Sequence, residues 1–216
     1  MKFPLLRRHF SLLVLTVLLA GPNGAHAGAS QGTTILVLGD SLSAEYGLQR
    51  GQGWVALLQA RLDQEKIDAR VINASISGDT SSGGRSRLPA LLAQHKPDLV
   101  MIELGGNDAL RGLPLAMTQD NLQAMARAAK TTGAQVLLLG MQVPPNYGQD
   151  YAKQFSNAFS QVARDQRVAL VPFLLKGVAD GPNAATLFQA DRIHPLAQAH
   201  PIILNTLWPT VKKLLK

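Results

Sequence analysis

Five short apolar runs punctuate the chain: Thr34–Leu38, Arg70–Asn73, Leu99–Glu103, Gln135–Leu139 and Val168–Val171. Most are continuously apolar and not alternating, the pattern of strands buried on both faces of a parallel sheet. The segments between them have a helical period. Trp54, Leu57, Leu58, Arg61 and Leu62 recur at three and four, as do Leu88, Leu91 and Leu92. Leu115–Lys130 is rich in the helix formers Ala, Gln and Met, and Tyr151, Phe155, Phe159 and Val162 make a further stripe. Strand and helix thus alternate about five times. The expectation is a three-layer α/β/α, doubly wound, five-stranded parallel sheet with right-handed crossovers.

In such sheets ligands bind at the carboxyl ends of the strands, so the loop leaving each strand is the place to look for chemistry. Gly39-Asp40-Ser41 comes after the first, Ser77-Gly78-Asp79 after the second and Gly105-Gly106-Asn107-Asp108 after the third. The C-terminal part is less regular. Gly177–Asp191 reads as a loop, Pro201 suits a first helical position, and Trp208-Pro209 is expected to kink or break the last helix.

The N-terminus changes how much chain belongs to the fold. Lys2, Arg7 and Arg8 precede the apolar run Ser11–Ala20, then come the breakers Gly21, Pro22 and Gly24 and the small-x-small site Ala25-His26-Ala27. This is the pattern of a cleaved secretory signal peptide, and the run is too short for a bilayer span. Residues 1–27 are therefore expected to be a leader and 28–216 one domain, located in the periplasm or secreted without a stable membrane anchor. The leader carries three of the 21 Lys and Arg and none of the 14 acids, which lowers the net charge from +7 to +4. The remaining basic residues are scattered, which argues against nucleic acid. Cys is absent, which excludes disulfides, thiol nucleophiles and Cys-based metal sites.

Catalytic chemistry can be sought among few groups. A serine needs a base and a set of oxyanion donors before it becomes a nucleophile. Ser41 stands where the first strand is expected to give way to a helix, although a helix-capping serine fits the same place. Only His95, His194 and His200 lie beyond the leader. His95 closes a helix and is expected to face solvent, and His200 has no acid near it in sequence. Asp191 precedes His194 by three residues, close enough to bond one ring nitrogen and leave the other for Ser41, although an ordinary loop could also hold the pair.

Taken together, Gly39-Asp40-Ser41-Leu42, Gly78, Gly105-Gly106-Asn107-Asp108 and Asp191-x-x-His194 resemble, in order, the motif blocks of the SGNH (GDSL) hydrolases. The resemblance covers essentially all of residues 28–216 and is closest to the bacterial periplasmic thioesterase I/lysophospholipase/arylesterase branch. Asn73–Thr80, Arg87–Leu92, Glu103–Asp108 and Pro145–Gly148 add to it. It implies Ser41 as nucleophile, His194 as general base oriented by Asp191, and an oxyanion hole from the N–H groups of Ser41 and Gly78 and the Asn107 amide. It implies hydrolysis of acyl esters or thioesters, lysophospholipids included, by a monomer without metal or cofactor. The apolar stretch 110–117 resembles the acyl-chain loop of this branch, so Leu110, Leu113, Val143 and Tyr147 are candidate substrate contacts. Glu45 departs from the pattern at a place where small residues are common, which puts substrate access there in question.

Other readings are weaker. A deacetylase of carbohydrates or short esters would use the same scaffold, but aromatics form only 5% of the chain, few for stacking on sugars. A non-catalytic binding domain would not need every catalytic residue type in order. None of the five apolar runs is followed by a Gly-x-Ser-x-Gly elbow, a P-loop or a Gly-x-Gly-x-x-Gly turn, so an α/β-hydrolase or a nucleotide site lacks support.

Overall fold

The computed structural model describes Met1 and residues 32–216, so the expected leader lies outside the described residues. Five strands, β1 (Thr33–Gly39), β2 (Ala69–Asn73), β3 (Leu99–Glu103), β4 (Gln135–Leu139) and β5 (Ala169–Val171), form one all-parallel sheet in the order β2-β1-β3-β4-β5. Ile35–Leu38 and Leu99–Ile102 are at most 1% exposed, which is why these central strands read as unbroken apolar runs. The five expected strands match within one or two residues, the ordinary uncertainty of element ends.

Among the described residues, six helices connect and cover the strands: α1 (Trp54–Gln64), α2 (Ser81–His95), α3 (Gly106–Leu110), α4 (Leu115–Thr131), α5 (Gln149–Gln166) and α6 (His200–Leu214). α1 packs with α6, while α2, α4 and α5 pack together. Gly84 lets α2 close on the sheet, since a Cβ there would lie 2.2 Å from a Leu104 methyl.

Two local expectations need correction, the first in its stronger form, a break at Pro209. α6 continues through Pro209 to Leu214 and is not broken there. Asn205 and Pro209 are both exposed, so the carbonyl that the proline leaves unbonded meets water. After β1 the chain does not enter a helix directly. Residues 41–47 make successive turns, with Ala44 N–H donating to Asp40 C=O (2.9 Å) and Leu48 N–H to Glu45 C=O (3.0 Å). Pro201 does occupy the first turn of α6.

Candidate active site

The sheet order reverses between β1 and β3, and the loops leaving those strands, with that after β2, meet at the carboxyl edge. Asp40, and not Ser41, caps the turn after β1: its Oδ1 accepts the Leu42 N–H at 3.0 Å. The Ser41 hydroxyl is thereby free of a capping role. Gly39 is required beneath the turn, because a Cβ there would lie 2.7 Å from Glu103 Oε2.

Ser41 Oγ lies 2.8 Å from His194 Nε2, and His194 Nδ1 lies 2.7 Å from Asp191 Oδ2. The other Asp191 oxygen accepts the N–H groups of Ile193 (2.9 Å) and His194 (3.0 Å). With the Nδ1 proton directed at Asp191, Nε2 accepts from the serine hydroxyl. Desolvation pushes the Asp191 carboxyl up, but the bonds from the His194 ring and the two amides outweigh it and bring it down to about 2. The Tyr46 ring lies against the His194 ring at 4.3 Å between centroids.

The loop carrying His194 is irregular but tethered. Gln189 N–H donates to His194 C=O (2.8 Å), Leu196 N–H to Leu187 C=O (2.8 Å), and the Gln189 amide reaches the carbonyls of Tyr46 (2.9 Å) and Pro195 (3.2 Å). His200, without an acid near it in sequence, is buried. Its Nδ1 accepts the N–H of Trp54, the first residue of α1, at 3.0 Å. Burial lowers its pKa, which suits a neutral ring whose Nδ1 accepts from the start of α1. His95 ends α2, half-buried and away from this group.

On the loop after β2, Gly78 adopts φ 80°, a conformation open to glycine, in a turn closed by Asp79 N–H to Ile76 C=O (3.1 Å). Arg87 holds this segment from α2: it pairs with Asp79 (2.8 Å) and donates to the carbonyls of Ala74 and Gly39. Arg111 Nη2 donates to Gly78 C=O at 2.7 Å. Asn107, on α3, donates one Nδ2 hydrogen to Asp40 Oδ2 at 3.0 Å. α3 is fastened through Asp108, which is buried and accepts the Ser81 N–H (2.8 Å), the Ser81 hydroxyl and the Thr118 hydroxyl (3.1 Å). The N–H groups of Ser41 and Gly78 and the second Asn107 hydrogen have no acceptor among the described residues.

The remaining candidates divide. Leu110 is 47% exposed beside Asn107 on α3, and Leu113 is half-buried just beyond it. Val143 packs against the core, and Tyr147 stacks on Tyr151 at 6.0 Å. Glu45 points its carboxylate at the N–H groups of Gly51 (3.0 Å) and Gly53 (2.8 Å), so it is a backbone ligand of the turn before α1. Tyr46, Glu103, Arg87 and Arg111 escape a sequence reading. Of these, only Glu103 carries a signal, as a charge ending an apolar strand at the sheet's functional edge.

Comparison with known proteins bears on this edge. Residues 37–202 match the GDSL-like lipase/acylhydrolase family. The chain belongs to that family, and it is a GDSL-type carboxylic ester hydrolase. It is 57% identical to esterase TesA of Pseudomonas aeruginosa over 182 residues, 84% of this chain and 89% of that one. A crystal structure of TesA aligns with a TM-score of 0.81 at 56% identity, covering 84% of this chain and 99% of the other. The thioesterase 1/protease 1/lysophospholipase L1 of Escherichia coli K12 is 42% identical, with 82% of each chain covered. The esterase EstA from Pseudoalteromonas sp., in a structure inhibited by monoethylphosphonate, aligns with a TM-score of 0.79 at 44% identity, covering 85% and 98%.

Proposed function

We propose that this protein hydrolyses acyl esters and thioesters through an acyl-Ser41 intermediate, after export directed by residues 1–27. The observation that carries the reading is the chain of hydrogen bonds from Ser41 through His194 to Asp191, facing three N–H donors without an acceptor among the described residues. His194 Nε2 takes the hydroxyl proton as Oγ attacks the carbonyl carbon, and Asp191 stabilises the imidazolium that forms. The carbonyl oxygen becomes an oxyanion held by the Ser41 and Gly78 N–H groups and the Asn107 amide. His194 then passes its proton to the departing alkoxide or thiolate. A water, deprotonated by the same nitrogen, attacks the acyl-enzyme, and the proton returns to Oγ as the acid leaves.

The surface around this edge supports an apolar acyl group. Among the described residues, the exposed large hydrophobic side chains apart from Met1 are Tyr46 (50%), Ile76 (54%), Leu110 (47%), Ile193 (42%) and Leu196 (36%). Each lies on a segment that also carries a site residue, so they collect where a substrate would enter. Thioester and lysophospholipid turnover are inferred from the similarity to the named relatives. The reading takes the enzyme as a monomer that acts on small molecules and binds no nucleic acid.

A fluorophosphonate probe tests the chemistry: it should label the wild type at Ser41 and leave Ser41→Ala unlabelled. Absence of labelling in folded wild type would sink the proposal. Rates on p-nitrophenyl esters should rise beyond acetyl as the acyl chain lengthens. An acetyl-only profile would overturn the acyl assignment in favour of a deacetylase.

A further inference from the structure

Beneath the nucleophile turn lies a second acidic group with no part in the chemistry just described. Glu103, the last residue of β3, is fully buried. Its Oε2 accepts the Asp40 N–H at 3.1 Å and the Ser43 hydroxyl at 2.7 Å. Its Oε1 is buried with no hydrogen-bond partner among the described residues. The Asp40 carboxyl, itself 2% exposed, faces the Glu103 carboxyl within hydrogen-bonding reach. The charged and titratable groups around the pair are few. From the C-terminal loop comes His194, and from α2 comes Arg87, which reaches the Gly39 carbonyl at 3.3 Å and is already paired with Asp79. Neither forms an ion pair with Asp40 or Glu103.

Two adjacent carboxylates in a dry site cannot both stay ionised at modest cost, because desolvation and mutual repulsion both favour uptake of a proton. We propose that Glu103 is held as a neutral carboxylic acid whose Oε1–H donates to the Asp40 carboxylate, making the pair a single-charge unit that positions the Ser41 turn and the Asn107 amide. The contacts place the proton. Asp40 accepts two N–H donors from outside the pair, Leu42 on Oδ1 and Asn107 on Oδ2, which suits an anion. Glu103 Oε2 accepts an N–H and an O–H as a carbonyl oxygen does, and a hydroxyl on Oε1 gives the one orphan oxygen its role. Burial, then the charge of Asp40, push Glu103 well above the ordinary carboxylate range. Neither carboxyl touches the reacting atoms, so both are positioning residues.

The inference rests on the proposed roles of Ser41 and Asn107 only for its kinetic part, because the proton can be read without turnover. Infrared spectra at neutral pH should show a protonated-carboxyl stretch, shifted in D2O, that is lost in Glu103→Gln. No such band in the wild type refutes the proposal. A band that survives in Glu103→Gln and disappears in Asp40→Asn puts the proton on Asp40 and refutes the assignment. In kinetics, Glu103→Gln keeps the acceptor and the donor, so kcat should stay within about tenfold of wild type, while Glu103→Ala falls further with KM little changed. A folded Glu103→Gln as impaired as Glu103→Ala would mean that the group acts as an anion, and the proposal would fall. An enzyme inactive even as wild type would count against the hydrolase reading and leave the infrared result standing.

Discussion

Asn107→Ala separates two consequences of one side chain. The first is catalytic. As the proposed oxyanion donor, the amide acts on charge that exists only in the transition state, and removing one such donor costs about 3 kcal/mol, on the order of 100-fold in kcat with KM nearly unchanged. The second is structural. Asn107 Nδ2 is one of two outside donors to Asp40, a carboxyl 2% exposed. Losing a hydrogen bond to a buried charged group costs about 1.5–3 kcal/mol of stability. For a domain of this size that is a Tm decrease on the order of 5–10 °C. Steady-state kinetics on a soluble p-nitrophenyl ester and a thermal melt of the same preparation read the two terms. Asp40→Asn in wild type and in Asn107→Ala completes a double-mutant cycle. If Asp40 affects turnover through Asn107 alone, its effect on kcat should largely vanish in the Asn107→Ala background. A folded Asn107→Ala with kcat within about threefold of wild type would remove the amide from the oxyanion site, since a preorganised donor is worth far more than that.

The same geometry gives three further expected outcomes. Asp191→Asn should lower kcat about 10⁴-fold without unfolding, because the histidine loses the acceptor that sets its tautomer; near-normal turnover would break the assignment. His200→Ala removes the buried acceptor of the Trp54 N–H, and it should cost about 3 kcal/mol by urea unfolding, more than His95→Ala at the end of α2. The pH dependence of stability should carry opposite signs at Asp191 and Asp40. Asp191, lowered from 3.8 to about 2, contributes stability that is full above pH 3.8 and is lost as pH falls through about 2. Asp40 is raised from 3.8 to about 6 by burial, so its ionisation opposes folding, and stability declines as pH rises from about 3.8 through 6. Urea midpoints against pH should show the Asp40 component disappear in Asp40→Asn, and an unchanged profile there would contradict the burial argument.

The fold was legible because its signals are local and redundant. A strand buried on both faces must be apolar at every position, and Leu36, Val37, Val100 and Met101 are each 0% exposed. Of the candidate site residues, Ser41, Gly78 and Asn107 were proposed from their places after successive strands and Asp191 with His194 from their spacing, and the structure brings Ser41, Asp191 and His194 into one chain of hydrogen bonds beside Asn107. What stayed hidden depends on distance along the chain. His200 meets Trp54 across 146 residues, and Glu103 meets Asp40 and Ser43 across 63 and 60. No period or spacing announces such pairs. Of the kink or break expected at Pro209, the break does not occur, for a related reason: the cost of a helical proline depends on whether the freed carbonyl can reach water, and that is a property of the packed helix.

The two halves of the site are held by different physics. On the proposed oxyanion side, Asn107 rests on Asp40, Asp40 on Glu103, and α3 on the buried Asp108 with Ser81, Thr118 and Asn121, so the Asn107 donor is fixed by polar groups largely away from water. Buried bonds of this kind are costly to leave unmade, which makes their geometry stiff. On the base side the Asp191 side chain is 37% exposed, and its loop is tied by backbone turns and the Gln189 amide. An exposed charged pair adds little stability, so the 2.7 Å contact between Asp191 and His194 orients the ring more than it anchors the loop. Beyond the loop, His200 at the start of α6 is buried and its ring accepts the N–H of Trp54, which ties the chain just after the loop to the first turn of α1. The histidine without a neighbouring acid thus holds the chain beside the proposed catalytic loop through a neutral acceptor, while the one beside Asp191 has its ring oriented between a carboxylate and the Ser41 hydroxyl.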